Sequence, residues 1–344
     1  MKKSKKIIAF FMSLIMMFTM SGFAHADSTG EVITIGANLN KQQKQDILNY
    51  FGVSSDNPNI IYVNNKQERK YLSGVAPEAQ LGHVTMSSSY VIPTNSGGIN
   101  VKTSNITWVT SSMIASTLAT AGVENANVVA AAPFPVSGTG ALTGIIMAFE
   151  KSSGENLTEE KKQLANKELV TTGNLAEQVG KDKASGIIND AKKEVIQKDI
   201  KDPSQIEKAV KEVANNYNVT LNTGDINIIV NLLKDIGNQN YNYKDMKDTL
   251  DNISANVGYN LKEAGEKINI NGVLNKAKSF IKNNKDANQF FNQFDDSKLS
   301  KDAVVSTTAS GVDSAKKVAD NAGQQIQNSG IIDKIIAFFQ SIFN

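Results

Sequence analysis

The sequence predicts an α+β fold, in which a small N-terminal α/β sandwich is followed by an all-helical bundle and an amphipathic C-terminal helix. Up to about residue 151, short strand-like segments alternate with helical ones. From residue 156 to 294 the large apolar residues instead recur with a helical period. Alternating elements favour a layered α/β unit, and successive amphipathic helices with short links favour a bundle.

The segment 127–150 is the one around which the α/β part is predicted to assemble. Residues 127–132 form an apolar run typical of a buried strand, which is expected to end at the Pro133-Phe134-Pro135 elbow. A glycine-rich turn follows, and Thr139–Lys151 is predicted as a helix that closes the layer. Further strands are predicted at residues 31–36, 59–63, 82–93 and 99–106.

The last two of these strands are joined by Thr94-Asn95-Ser96-Gly97-Gly98, a sequence typical of a hairpin turn. We therefore expect residues 82–93 and 99–106 to pair with each other. The tip of such a hairpin is exposed, which makes it a candidate for recognition, although a simple turn is the alternative interpretation. The candidate ligand-binding residues here are Asn95, Ser96, Gly97 and Gly98.

Several helix ends are marked by local signals. Asn40 is suited to cap a helix that Gly52 would end, because asparagine accepts a hydrogen bond at the first turn and glycine adopts a left-handed conformation. Thr110 or Ser111 is expected to begin another helix. Asp202-Pro203 combines a capping acid with proline at the first helical position.

The first 26 residues have the composition of a secretory signal peptide rather than of a folded element. Four lysines precede the apolar run Ile7–Met20, and Ala24-His25-Ala26 matches an A-x-A cleavage site. The apolar run is too short for a typical membrane span. We expect export and cleavage after Ala26, and hence a secreted or extracellular protein, with envelope association as a further expectation.

Charge and composition narrow the class of function. The formal net charge is +2, and removing the four signal-peptide lysines gives 2 − 4 = −2 for the mature chain. This balance gives no reason to expect nucleic acid as a partner. The chain has no cysteine, which excludes disulfides and thiol chemistry and fits a Gram-positive exporter. Arg69 is the sole arginine, so recognition of phosphate by several arginines is excluded.

Catalytic motifs are weak. His83 is the one histidine after residue 26, so a Ser–His–acid triad would have to use it together with a serine such as those at 87–89. A structural histidine is the preferred interpretation. We expect no metal and no cofactor, and the catalytic residues are left unknown. Paired carboxylates would suit glycoside hydrolysis, but no two acids of the α/β part are placed to suggest a pair: Glu31, Asp46, Asp56, Glu68, Glu78, Glu124 and Glu150.

The turn after the Pro-Phe-Pro elbow is a second candidate ligand site. Gly138, Gly140 and Gly144 lie between a predicted strand and a predicted helix, where backbone N–H groups can face an anion or a glycan. The preferred interpretation is that small residues let the helix lie close to the sheet. The candidate ligand-binding residues here are Ser137, Gly138, Thr139 and Gly140.

Four segments carry a family resemblance: TIGANLNKQQKQDILNYFG (34–52), TNSGGINV (94–101), NITWVTSSMIASTLATAG (105–122) and NANVVAAAPFPVSGTGALTGIIMAFE (125–150). Together and in this order they resemble the YpuA-type secreted bacterial proteins, the domain of unknown function 1002 family. The resemblance covers residues 32–294. It implies an exported protein of Gram-positive bacteria that is attached to or acts at the cell envelope, and it carries over no catalytic residue.

The C-terminal part is predicted as a polar tail, 295–330, followed by an amphipathic helix, 331–344. The helix would contact a membrane surface peripherally, dock on the bundle, or pair with another copy of the chain. Its candidate contact residues are Ile331, Ile332, Ile335, Ile336, Phe339, Ile342 and Phe343. The predicted organisation is therefore a signal peptide (1–26), an α/β domain (27–151), a helical bundle (152–294), the tail and this helix.

We expect an exported, non-enzymatic interaction protein of the cell envelope or the extracellular space, whose partner is an envelope component or another protein. The alternative is a hydrolase or a ligand-binding protein that acts on cell-wall polymers. The two differ in one structural respect. An enzyme should bring acids or His83 together in one concave pocket, whereas an interaction protein should expose an apolar patch.

Overall fold

The computed structural model describes residues 30–75, 82–266, 268 and 287–308. Within them the protein is an α+β structure, as predicted, with one mixed sheet. The strands are β1 (Val32–Gly36), β2 (Ile60–Val63), β3 (Ser88–Pro93), β4 (Ile99–Ile106), β5 (Ala126–Val136) and β6 (Val305–Thr307). Their order in the six-stranded sheet is β2-β1-β3-β5-β4-β6.

Helices cover most of the remaining described chain. Those of the N-terminal part are α1 (Lys41–Phe51), α2 (Asn65–Leu72), α3 (Ser111–Ala121) and α4 (Ala141–Ser153). Those that follow are α5 (Glu159–Val179), α6 (Lys181–Gln197), α7 (Pro203–Asn216), α8 (Thr223–Gly237) and α9 (Tyr243–Glu263). The described helices include none that is long and apolar enough to cross a membrane.

The helix caps follow the local sequence signals. Asn40 caps α1 through a capping box with Gln43, and Gly52 ends the helix in the left-handed conformation. Thr110 caps α3 by accepting a hydrogen bond from the Met113 N–H. Asp202 caps α7, with proline in its first turn. These predictions are confirmed because each depends on residues within a few positions of one another.

The predicted hairpin between residues 82–93 and 99–106 is wrong. Strand β5 lies between β3 and β4, antiparallel to the first and parallel to the second. The loop 94–98 therefore crosses the start of β5. Asn125 holds it there, because its side chain accepts a hydrogen bond from the Gly98 N–H at 2.8 Å and its carbonyl accepts one from the Thr94 N–H.

Strand β5 takes the centre because small side chains let it be covered on both faces. Val128 to Ala132 are buried, and cores form on both sides of the strand. The expected end at the Pro133-Phe134-Pro135 elbow is also wrong, since β5 continues to Val136. Strand β4 matches this extension through an irregularity at Asn105, after which Ile106 pairs with Val136.

On one face of the sheet, a single apolar cluster contains strand residues, α3, α4 and the later helices. Every residue of α3 is buried, because the helix packs against β4 on one side and α5 and α9 on the others. Ile114 of α3 and Ile253 of α9 belong to this same cluster. The helices after residue 152 therefore share their core with the N-terminal layer.

A second apolar cluster covers the opposite face, between α1 and residues 287–294. The Phe294 ring lies 5.4 Å from the Tyr90 ring and 6.3 Å from the Phe51 ring. Lys102 Nζ bonds to the Phe294 carbonyl at 2.9 Å and to Asp296 Oδ2 at 2.8 Å. These contacts fix the segment against the sheet.

Residues 295–308, which the sequence placed in the polar tail, are part of the fold instead. Val305–Thr307 pair with β4 as an antiparallel edge strand, and the Val101 N–H donates to the Thr308 hydroxyl at 3.0 Å. No local pattern indicates this pairing because the strand has only three residues. The signal peptide, residues 269–286 of the predicted bundle, the tail from 309 and the terminal helix lie outside the described residues.

We expect Phe294→Ala to lower the free energy of unfolding by about 3–5 kcal/mol, since it removes a buried ring from the second cluster. Val304→Ala, in the same segment but 46% exposed, should change it by less than about 0.5 kcal/mol. Urea unfolding followed by circular dichroism measures both. Equal, small effects would mean that residues 287–308 do not cover the sheet in solution.

A fully buried ion pair joins α3, α5 and α6. The side chains of Glu168 and Lys192 are both 0% exposed, and Lys192 Nζ lies 2.8 and 3.1 Å from the two carboxylate oxygens. It also donates to the Ser116 carbonyl at 2.7 Å and to the Thr120 hydroxyl at 2.9 Å. The hydroxyls of Ser116 and Thr120 in turn donate to Glu168. Both charges are thus compensated where water is absent.

Lys192→Met should destabilise the protein by about 3–5 kcal/mol, because it leaves the Glu168 carboxylate buried without its counter-charge. The double variant Glu168→Leu/Lys192→Met removes both charges and should be clearly more stable than the single one. Urea unfolding of the wild type, both single variants and the double variant provides the comparison. A double variant no better than Lys192→Met would contradict the pairing.

Candidate functional site

A cavity of about 260 Å³ lies where β5 ends and α4 begins. The chain brings to it the turn from β5 to α4, one side chain of α2, and the residues that precede β3. We call this cavity the α4 pocket. Its lining residues are Glu68, Gly82, Val84, Met86, Ser87, Phe134, Val136, Ser137, Gly138, Thr139 and Gly140.

The turn at the α4 pocket requires glycine for two different reasons. Gly138 has a φ of 85°, and a Cβ atom there would lie 2.2 Å from Ile106 Cγ2. Gly140 is the residue that precedes α4, and a Cβ atom there would lie 2.2 Å from the Glu68 carboxyl carbon. The second glycine therefore lets the acid of α2 lie directly against the start of α4.

Glu68 is buried without full hydrogen bonding. Only 4% of the residue is exposed. Its Oε2 accepts a long hydrogen bond of 3.3 Å from Asn65 Nδ2, and its Oε1 has no partner. The Thr85 hydroxyl is also buried and lies close enough to this carboxyl to lower its pKa. A buried polar atom left without a partner costs free energy, so its presence in a cavity wall needs a reason.

The electrostatics of the α4 pocket combine two opposite contributions. Burial raises the pKa of the Glu68 carboxyl, and the Thr85 hydroxyl and Asn65 amide oppose this rise only in part. The N-terminus of α4, which has no side-chain cap, contributes partial positive charge beside the acid. The α4 pocket therefore has one acid next to backbone N–H donors, and its electrostatic potential is not of a single sign.

The rim of the α4 pocket is apolar and accessible. Val84 is 54% exposed and Phe134 is 37% exposed, and both line the cavity. Ser137 is exposed at the rim, whereas Thr139 is buried. The site thus has hydroxyls and a carboxyl inside and an aromatic edge outside, an arrangement common in small-molecule sites.

His83 does not complete a catalytic triad among the described residues. It is exposed, and its Nδ1 lies 3.5 Å from an Arg69 nitrogen. The hydroxyls of Ser88 and Ser89 are engaged elsewhere, with the Gly36 N–H and Thr34. No group of three or more histidines and acids able to hold a metal occurs in the described part of the chain.

The buried pair Glu168–Lys192 also brings a serine, a lysine and a carboxylate together. Ser116 is 4% exposed and the pair is 0% exposed. The three lie inside the helical core and line none of the cavities described here. Their role is structural.

Two larger cavities, of about 360 and 570 Å³, lie between α2, α5 and α8. The lysines that line them are engaged in ion pairs. Lys167 Nζ lies 2.6 Å from Asp235 Oδ2, and Lys70 Nζ lies 2.8 Å from Glu159 Oε2. Among the described residues, neither cavity is lined by a buried carboxyl oxygen that lacks a hydrogen-bond partner, and so the α4 pocket is the better candidate despite its smaller volume.

The two candidate ligand sites of the sequence lie at opposite ends of β5. Ser137 to Gly140 follow its last residue, and Gly98 lies beside its first, Ala126. A strand of 11 residues spans roughly 30 Å or more at about 3.3 Å per residue. The loop 95–98 therefore contributes nothing to the α4 pocket. Gly98 is in fact buried against Thr249 of α9.

Glu68 is the site residue that the sequence did not single out. It appeared only among seven acids without an assigned role. Its neighbours in sequence place it on a short polar helix, where most residues are partly or fully exposed. Its carboxyl lies against Gly140, which is distant in the chain, and no local pattern contains that contact. The terminal-helix candidates, Ile331 to Phe343, lie outside the described residues.

The fold is that of a mixed α+β protein, and a small, partly polar candidate site lies at a strand-to-helix turn. The chain belongs to the family described as "Protein of unknown function (DUF1002)", which matches residues 35–253. This confirms the family resemblance in the sequence. The matched range ends within α9, short of residue 294.

One similar protein is "Uncharacterized protein YpuA" of Bacillus subtilis (strain 168). It is 38% identical over 240 residues, which cover 69% of this chain and 82% of that protein. No solved structure matches the chain significantly.

We expect Glu68→Gln to stabilise the protein at neutral pH. The folded state raises the pKa of this carboxyl, so it binds the proton more tightly than the unfolded chain does. Ionisation therefore costs the folded state stability as the pH rises above the ordinary value of 4.5. Replacing the acid by an amide removes that cost, and the gain should vanish below the ordinary pKa.

Urea unfolding of the wild type and Glu68→Gln from acid to neutral pH tests this prediction. Glu160→Gln, which removes an exposed acid of α5, controls for the loss of one surface charge. A loss of stability in Glu68→Gln at neutral pH would mean that the α4 N-terminus compensates the buried carboxylate fully.

Proposed function

We propose that this chain is an exported, non-enzymatic binding protein of the cell envelope or the extracellular space, and that its ligand site is the α4 pocket. The observation that carries the proposal is the buried Glu68 carboxyl, which lines the cavity with one oxygen lacking a hydrogen-bond partner. Such a group costs stability in the free protein, and a ligand that donates a hydrogen bond to it would offset the cost.

Binding is better supported than catalysis. Acid–base hydrolysis of a glycosidic bond needs two carboxyl groups within about 5–9.5 Å of each other. Among the described residues that line the α4 pocket, Glu68 is the one ionisable side chain. Its neighbours contribute hydroxyls, backbone donors and apolar surface, which recognise a ligand without activating water. A wall-polymer hydrolase is the alternative function, and turnover of the polymer would reveal it.

Export is supported by the N-terminal sequence. The lysines before Ile7–Met20 and the Ala24-His25-Ala26 site have the features of a cleaved signal peptide. An exported protein of this kind meets wall polymers, other envelope proteins and the outer membrane surface. The terminal segment Ile331–Asn344 would add a peripheral membrane or protein contact. Wall polymer is the partner that a small, hydroxyl-lined pocket fits best.

The test is sedimentation of the mature chain, residues 27–344, with purified cell-wall sacculi of Bacillus subtilis. We expect the wild type to sediment with the sacculi and Gly140→Ala to remain largely in solution, because the added Cβ displaces the Glu68 carboxyl. Glu68→Gln should weaken binding at least several-fold. Glu160→Gln is the matched control and should bind as the wild type does.

Equal sedimentation of all four proteins would overturn the α4 pocket as the binding site. Absence of sedimentation in the wild type would overturn wall polymer as the partner. Release of soluble fragments from the sacculi by the wild type, but not by Glu68→Gln, would support the hydrolase alternative instead. Circular dichroism of each variant verifies that the fold is retained.

A further inference from the structure

The class of ligand can be narrowed from the geometry of the α4 pocket, and this step rests on the proposed binding function. Three kinds of small ligand differ in the contacts they need. An anion needs donors without a nearby carboxylate, a cation needs several acceptors, and a neutral hydroxylated ligand needs donors and acceptors side by side.

An anion fits poorly. The start of α4 and the Thr139 region would attract one, but the Glu68 carboxyl lies directly against Gly140. Two unit charges of the same sign at 4 Å repel by about 4 kcal/mol at an effective dielectric constant of 20. Arg69, the only arginine, binds the Gly82 carbonyl at 2.9 Å and is not among the lining residues.

A cation fits poorly as well. Glu68 is the one acid among the described lining residues, and the positive end of the α4 dipole lies beside it. An ammonium group would exchange its hydration for a single carboxyl and would face repulsion from the helix end. The local charges of the pocket largely cancel, which favours a ligand without net charge.

The lining fits a neutral ring with hydroxyl groups on its edge and an apolar face. Glu68 and Ser87 supply acceptors and a donor inside, and Ser137 supplies a hydroxyl at the rim. Phe134 and Val84 supply an exposed apolar surface at the entrance. The volume of about 260 Å³ is below the usual range of roughly 300–1,000 Å³ for ligand pockets, so it suits one ring at a time.

We propose that the α4 pocket binds a single neutral sugar residue of a glycan, with sugar hydroxyls bonded to the Glu68 carboxyl and one face of the ring against Phe134. The rest of the glycan extends from the rim into solvent. The same pocket that binds the wall polymer thereby recognises its carbohydrate part and not its peptide, its phosphate or its amine groups.

The probe is tetra-N-acetylchitotetraose, a soluble neutral glycan, titrated into the mature chain. Trp108 is a convenient fluorescence reporter, because it is the only tryptophan and its backbone N–H donates to the Ser137 carbonyl at 3.1 Å. We expect saturable binding that weakens at least tenfold in Glu68→Gln and in Phe134→Ala. Glu160→Gln should bind as the wild type does.

Inorganic phosphate, an anion, and lysine amide, a cation, are added as competing ligands. Failure of both to displace the glycan supports the inference. Displacement by either one, or glycan binding that is unchanged in Glu68→Gln and Phe134→Ala, overturns it. Phe134→Ala alters an exposed side chain, so it keeps the test valid if changes at Glu68 disturb the fold.

Wall binding by the α4 pocket and recognition of a sugar in it can fail separately. Suppose that sedimentation with sacculi depends on Glu68 but the tetra-N-acetylchitotetraose does not bind. Sugar recognition is then overturned, and the α4 pocket remains the wall-binding site. If the wild type neither sediments with sacculi nor binds the glycan, the α4 pocket as a binding site and the sugar as its ligand are overturned together.

Discussion

The ion pair between Glu168 and Lys192 is the constraint on which the arrangement of the helices depends. Its charges are tolerated away from water only because α3, α5 and α6 bring every partner to hydrogen-bonding distance. A shift of any of the three helices would leave a charge without compensation. The core of the sheet and the core of the later helices are thereby fixed to each other. Glu68 is the contrasting case, a buried carboxyl whose surroundings leave one oxygen without a partner.

The parts of the fold that were predictable are those determined by nearby residues. The caps at Asn40 and Asp202 involve partners within three positions, and the helical periods record which face of each helix is buried. Strand order was not predictable in this way. The glycines at 97 and 98 fit a hairpin turn as well as they fit a loop across β5, and only the burial of β5 on both faces decides between them. The pairing of β6 depends on contacts with β4 that no local pattern encodes.

In the candidate site, too, the local features were predictable and the contacts between distant residues were not. The turn Ser137 to Gly140 was recognisable because glycines between a strand and a helix mark a close approach. The residue that makes this close approach, Glu68, was not recognisable from the sequence. Gly140 makes room for the Glu68 carboxyl. A glycine in the sequence indicates that a close contact is possible there, but it does not indicate which residue makes the contact. The loop 95–98 has a mixed outcome, since Asn95 and Ser96 are exposed as its composition suggested, whereas Gly98 is covered by α9.

The place of β6 at the edge of the sheet has a consequence for the order in which the protein assembles. Strand β4 obtains its outer neighbour from residues about 200 positions further along the chain, as the separation of 207 between Val101 and Thr308 illustrates. Contacts of such long range form late, and a chain that emerges from its N-terminus first has no partner for this edge until almost all of it has appeared. If the chain is exported as we propose, late completion of the sheet would keep it unfolded during passage through the membrane, and β6 would pair with β4 only after export.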